Sequence, residues 1–246
     1  MIARQDRTMF AAVYGELATN PWLNPAVASS DAYSLFVARS SAMGWLTPAS
    51  ENATGGFWGM NDAGQDPSFD PELGSRIAWF QVSITEPVPA GRPVPLQPFF
   101  SCAHDVLARM GEFRLTAVDA LFPMPVAPPA IGAVATLLED SGWFADHHPG
   151  SVTPLRVTLD SGSEAAIGSH APGILQWVRE VRQSAFVCES MLESGPHRVI
   201  LHGTLAEWSL GALGWLAAFL ADASARCGIN VPLHFTAACS TRPAAG

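Results

Sequence analysis

The chain has 246 residues, 48% of them hydrophobic and only 14% charged, with a net charge of −9. That length and apolar content suffice for a large buried core and exclude a disordered chain. All thirteen basic residues are arginine, which excludes a lysine Schiff base, and with it pyridoxal phosphate and imine aldolase chemistry, a Walker A lysine and a kinase β3 lysine.

In chain order, residues 8–17 carry a short helical pattern that Asn20-Pro21 breaks, and 33–39 read as a strand. Residues 47–75 are the least regular stretch. They hold Gly55-Gly56-Phe57-Trp58-Gly59, then Asp62, Asp66, Asp70 and two prolines. A stretch this long is either a lid bearing aromatic residues or a cover for the core. Residues 1–75 are therefore expected to form an N-terminal extension and irregular loop packed on a core at 76–239, with 240–246 a loose tail.

From Arg76 the pattern alternates. Strands are expected at 77–85, 113–121, 155–160, 198–203 and 231–238, and helices at 99–110 and 130–141. A long helix opens near Pro172, a good first-turn residue, and runs to about Ser194 on three- and four-residue apolar steps. Thr204-Leu-Ala-Glu207 has capping-box spacing ahead of the last helix. Gly111, Gly142, Gly195 and Gly228 each stand where a helix would stop in a left-handed residue. The expected fold is α/β: alternating strand and helix in a mainly parallel sheet of about five strands.

A rival reading puts Cys188 in a strand. The second half then becomes β-α-β-β-α-β, and two such halves make a tandem ferredoxin-like α+β barrel. Period-two alternation supports it, since Arg114, Thr116, Arg156, Thr158, Arg198, His202, His234 and Thr236 would face away from the helices and line a polar cavity. The helix-spaced run through Ala185 and Leu192 argues the other way. Arg76, Arg114, Arg156 and Arg198 open four strands, which fits either a repeated strand-helix unit or simple surface placement.

In a parallel sheet the ligand site lies beyond the carboxyl ends of the strands. The polar residues there are Glu86, Asp119, Asp160 with Ser161, Ser163 and His170, then His202, Thr204 and Glu207. Asp160 and His202 lie four residues past Arg156 and Arg198, so equivalent strands would aim them alike. An acid and an imidazole on one rim suit general acid–base work. Asp160, His202, Asp119 and Glu86 are the expected catalytic groups. Ser161, Ser163, His170, Thr204 and Glu207 are the expected ligand-binding groups. The competing reading of all nine is that they cap turns and helices.

Cys102 near a helix start, with His104 beside it, is a lesser nucleophile candidate. Asp146-His147-His148 lacks a second converging pair, so a solvated turn is expected there and no metal site. No Gly-x-Gly-x-x-Gly, Gly-Lys-Ser/Thr or Gly-x-Ser-x-Gly motif occurs. No cofactor is called for.

The acidic balance without an arginine cluster argues against nucleic acid as a partner. Arg4, Asp6 and Arg7 interrupt any apolar leader, and the longest apolar run, 210–221, is too short to span a bilayer. Four cysteines without CxxC spacing and an arginine-only, Ala/Gly/Pro-rich composition point to a bacterial, cytoplasmic protein with reduced thiols. Two functions are expected from this. One is a small-molecule-binding protein with lysine-independent, metal-free acid–base chemistry of the transferase, hydrolase or isomerase/cyclase type. The other is a non-catalytic binding or assembly subunit with a protein partner. Self-association is open in both, given the low charge content.

Overall fold

The computed structural model describes residues 8–23, 28–47, 55–60, 71–84, 93–125, 131–147, 152–163, 167–181, 183–193 and 195–240. Among them the chain forms eight strands and five α-helices: β1 (Thr8–Thr19), α1 (Ala28–Ala42), β2 (Gly59–Met60), β3 (Arg76–Ser83), α2 (Leu96–Met110), β4 (Gly111–Phe122), α3 (Ile131–His147), β5 (Thr153–Asp160), α4 (Ile167–Glu180), β6 (Phe186–Glu193), β7 (Arg198–Leu205), α5 (Leu210–Arg226) and β8 (Leu233–Cys239). A short 3-10 helix, Pro71–Leu73, precedes β3.

All eight strands share one sheet in the order β2-β3-β1-β4-β8-β5-β7-β6, and every neighbouring pair is antiparallel. The expected five-stranded, mainly parallel α/β sheet is therefore incorrect; the fold is mixed α+β. Each half traces β-α-β-β-α-β, and the halves mirror each other in strand order. They meet edge to edge through β4 and β8, which makes an open sheet with β2 and β6 at its edges and no closed barrel.

Three segments depart from the expected topology. Residues 8–17 are strand, and β1 lies between β3 and β4 with both faces buried over most of its length. A strand buried on both faces shows no period-two alternation. The segment 33–39 belongs to α1. The long helix to Ser194 is in fact α4 followed by β6, so Cys188 lies in a strand. Nor do the glycines share one role. Only Gly228 (φ 89°) follows a helix in the left-handed region. Gly111 is extended (φ 170°) at the start of β4, Gly142 is inside α3, and Gly195 (φ 119°) turns the chain between β6 and β7. Likewise Thr204 belongs to β7, and the side chain that caps α5 is Ser209, which accepts from the Ala212 amide at 3.2 Å.

All five helices cover one face of the sheet. Met9, Ala11 and Val13 of β1, Val118 and Ala120 of β4, Leu155, Val157 and Leu159 of β5, and Phe235 and Ala237 of β8 point into that core. At its centre is α5, buried along nearly its whole length. A helix apolar on all sides must be surrounded, and α2, α3 and α4 pack around it. Gly214 permits the closest of these approaches, because a Cβ there would sit 2.7 Å from the Phe100 Cβ. Phe219 lies between Trp215 (5.2 Å, stacked) and Trp177 (5.0 Å). Trp58 is fully buried against Phe36, Trp45, Phe57 and Phe99, so the described part of the aromatic-rich stretch after Gly55 seals the core. Among the described residues no helix is long and apolar enough to cross a membrane.

The arginine repeat also reads differently in three dimensions. Arg76 and Arg198 open β3 and β7, which hold equivalent places in the two halves. Arg114 and Arg156 lie in β4 and β5, which do not.

Candidate functional site

The face of the sheet away from the helices divides into two zones. On the N-terminal half, Phe10, Ala12, Tyr14 and Ala117 form a small buried apolar cluster, with Leu73, Trp79, Leu121 and Ala238 packed on it. On the C-terminal half the outward positions are mostly polar: Arg156, Thr158 and Asp160 on β5, Arg198, His202 and Thr204 on β7 with Ile200 among them, and His234 and Thr236 on β8. The inward positions of those strands, such as Val157, Leu201 and Phe235, are apolar and buried, so the pleat alone fixes which set faces out.

Asp119 stands on the border of these zones, on β4, and is 1% exposed. Its cross-strand partner on β8 is Thr236, whose hydroxyl donates to Asp119 Oδ1 at 2.9 Å. The diagonal neighbour is His234, with Nε2 at 2.6 Å from the same oxygen. That contact is one of charge and proximity, since Nε2 has no aligned hydrogen-bond acceptor. Asp119 Oδ2 is buried with no hydrogen-bond partner among the described residues. Burial alone would lower the pKa of His234. The short contact with Asp119, its negative charge and that of Asp160 outweigh burial and the opposing Arg198, and hold the imidazole protonated above its ordinary range.

His234 also lines a cavity of 470 Å³ with Leu121, Asp160, Ser161, Gly162, Ser163 and Val231. This cavity lies where β5 ends and β8 begins. Four of the expected residues thus converge: Asp160, Ser161 and Ser163 on the cavity, and Asp119 behind His234. Asp160 already serves the local structure. Its Oδ1 accepts from the Gly162 amide at 2.8 Å, while Oδ2 accepts from Arg198 Nε at 3.0 Å and lies 2.9 Å from Nη2. Ser161 is buried and bonds the His197 carbonyl through its amide (2.9 Å) and hydroxyl (3.3 Å).

The other expected residues lie elsewhere. His202 pairs with Arg156 across the β5–β7 ladder, whereas Asp160 pairs with Arg198. The antiparallel register therefore separates Asp160 and His202 by four positions, roughly 13 Å along the strands. Thr204 lies one step beyond, opposite Pro154 and Val187. His170 is on α4, on the helix side of the sheet. Glu207 lines a separate depression with Gln97, His104 and Trp143. Glu86 and His148 lie outside the described residues.

Cys102 is no activated nucleophile. It sits in the middle of α2, fully buried, and burial pushes its thiol up to about 11. Asp146 and His147 form the end of α3, and the described residues contain no group of three side chains that would hold a metal ion.

His234 is absent from the expected catalytic and ligand-binding sets, although the rival ferredoxin-like reading puts it on a polar face. The signal was present in the alternation Leu233, His234, Phe235, Thr236, Ala237, which puts one imidazole on the polar face. Its partner was invisible locally, because only the tertiary ladder brings β4 beside β8.

No protein-family model matches this chain, and no curated protein matches it in sequence.

Proposed function

We propose that the protein binds a small polar molecule in the cavity between the ends of β5 and β8, and that Asp119 and His234 act on it as an acid–base pair. The observation that supports this is the buried carboxyl of Asp119, held by His234 and Thr236 with one oxygen left unpartnered. A buried polar atom without a partner is costly and calls for an explanation, and here an imidazole stands 2.6 Å from the same carboxyl. Beside the Phe10–Tyr14 apolar cluster the local dielectric is low, which strengthens the pair.

The chemistry follows from the roles. Protonated His234 gives a proton to a ligand oxygen or nitrogen, and Asp119 stabilises the imidazolium and fixes the ring. Thr236 holds Asp119 in place. Ser163, at the exposed lip, and Ser161 offer hydroxyls to the ligand. Hydrolysis, group transfer and isomerisation or cyclisation all contain such a step. A cytoplasmic, bacterial metabolic role belongs to the same proposal, supported by the arginine-only composition and four free cysteines. Native mass spectrometry of the purified full chain identifies the bound molecule. Asp119→Asn and His234→Gln are expected to lose it while melting within a few degrees of wild type. Retention by both variants refutes the reading.

One observation favours the second reading, a binding or assembly subunit. Edge strand β6 exposes Val187 (59%) and Leu192 (56%), the kind of row to which another chain adds a strand. Sizing chromatography of wild type against Val187→Lys separates the readings: a shift of the wild type to larger species that the variant abolishes supports assembly.

A further inference from the structure

The two halves share a strand order but seat their first helices differently. In the second half, α4 packs down on β6, β7 and α5. In the first half, α1 leans mainly on α2, fastened by the Arg39–Asp105 ion pair at 2.6 Å and the Ser40–Cys102 contact at 3.5 Å. It reaches the sheet through Phe36, which stacks on Phe80 at 5.1 Å. Among the described residues β2 accompanies β3 for two rungs, Gly59 with Ser83 and Met60 with Val82. A cavity of 530 Å³ therefore remains between α1 and the outer edge of β3.

Its lining is mostly apolar and strongly aromatic. Tyr33 and Phe36 come from α1, Ile77 and Phe80 from β3, and Met60 from the neighbouring β2. Arg76, at the start of β3, is the cation among the described lining residues. Interiors close-packed elsewhere rarely leave an apolar space of this size, and the volume falls in the range of small-molecule sites. The Asp119–His234 pair does not line it.

We propose that this second cavity binds an aromatic acid: a ring system between Tyr33 and the stacked Phe36–Phe80 pair, with a carboxylate or sulfonate at Arg76. Aromatic walls take an inserted ring in edge or offset contacts, and a guanidinium recognises a planar anion through its fork of donors. The inference stands apart from the acid–base reading, since the two sites share no residue.

The test uses the full chain and two probes of similar shape, anionic 8-anilinonaphthalene-1-sulfonate and uncharged N-phenyl-1-naphthylamine. Saturable binding of one equivalent of each is expected, with a melting temperature that rises with probe concentration. Ala32→Trp fills the cavity from α1 and weakens both probes by at least about tenfold. Arg76→Gln weakens the sulfonate by about tenfold and the neutral probe by less than about twofold, the loss of one charge-assisted contact. Ala78→Leu, on the sheet side, gives the same readout as Ala32→Trp should that variant not fold. Absence of saturable binding, or wild-type binding by the cavity-filling variant, overturns the site. Equal loss of both probes in Arg76→Gln overturns the ligand class.

Discussion

Asp119 Oδ1 and His234 Nε2 stand 2.6 Å apart across the ladder that joins the two halves of the sheet. Neither half contains the pair alone: β4 closes the first half and β8 the second. The two residues are diagonal neighbours on a pleated surface, within reach of side chains of their length.

The first prediction concerns the titration of His234. The groups that act on it are Asp119 on β4, Asp160 on β5 and Arg198 on β7, and the net effect raises its pKa above the ordinary 6.5. A raised folded-state value means that His234 stabilises the fold below the unfolded pKa, and that this contribution is lost as pH rises through the folded one. An NMR titration of the imidazole protons is expected to show a midpoint above 6.5 in wild type. In Asp119→Asn the midpoint falls relative to wild type, because the Asp119 contact and charge no longer oppose burial. Unfolding by urea should show the gap between wild type and His234→Gln shrinking as pH increases from 5 to 9.

Phe219 tests the helix core. Its ring lies between Trp215 and Trp177 at 5.2 and 5.0 Å and is fully buried. Truncation leaves a cavity that the large flanking rings cannot readily close. Phe219→Ala is expected to cost about 3–5 kcal/mol in equilibrium denaturation.

Gly15 tests the irregularity in β1. The register of β1 shifts beside it, against β3 between Val13 and Tyr14 and against β4 between Tyr14 and Gly15. Its φ is 152°, and a Cβ would lie 2.0 Å from the Arg114 carbonyl oxygen. Gly15→Ala must therefore push apart two central strands. A loss of about 2 kcal/mol or more is expected, read from the shift in denaturation midpoint.

Cys102 tests the exclusion of thiol chemistry. Burial pushes its pKa up to about 11, so roughly one molecule in a thousand carries the thiolate at pH 8. Iodoacetamide at that pH is expected to leave Cys102 unmodified in the native protein and to alkylate it in denaturant, as read by peptide mass spectrometry. Fast native labelling at Cys102 would contradict its place between Ser40 and the Phe36 carbonyl.

The sequence by itself settled most elements after residue 75. The apolar spacing of Phe99, Ala103, Val106 and Met110 specified α2, and the alternation in Arg156–Asp160 and Leu233–Ala237 specified β5 and β8 with the correct faces outward. These signals are local, since helix and strand periods are written within a dozen residues. Strand direction is not written there. Phe186–Glu193 carries apolar residues at spacings that fit a helix as well as a strand, and only its pairing with β7 decides between them. β1 is buried on both faces because the helix core covers one and Leu73, Trp79, Leu121 and Ala238 pack on the other, a juxtaposition that exists only after folding. The site divides in the same way: Asp160, Ser161 and Ser163 are neighbours in sequence and were legible together, whereas Asp119 and His234 became a pair when two distant strands met, because hydrogen-bonded ladders join residues with no regard to their separation along the chain.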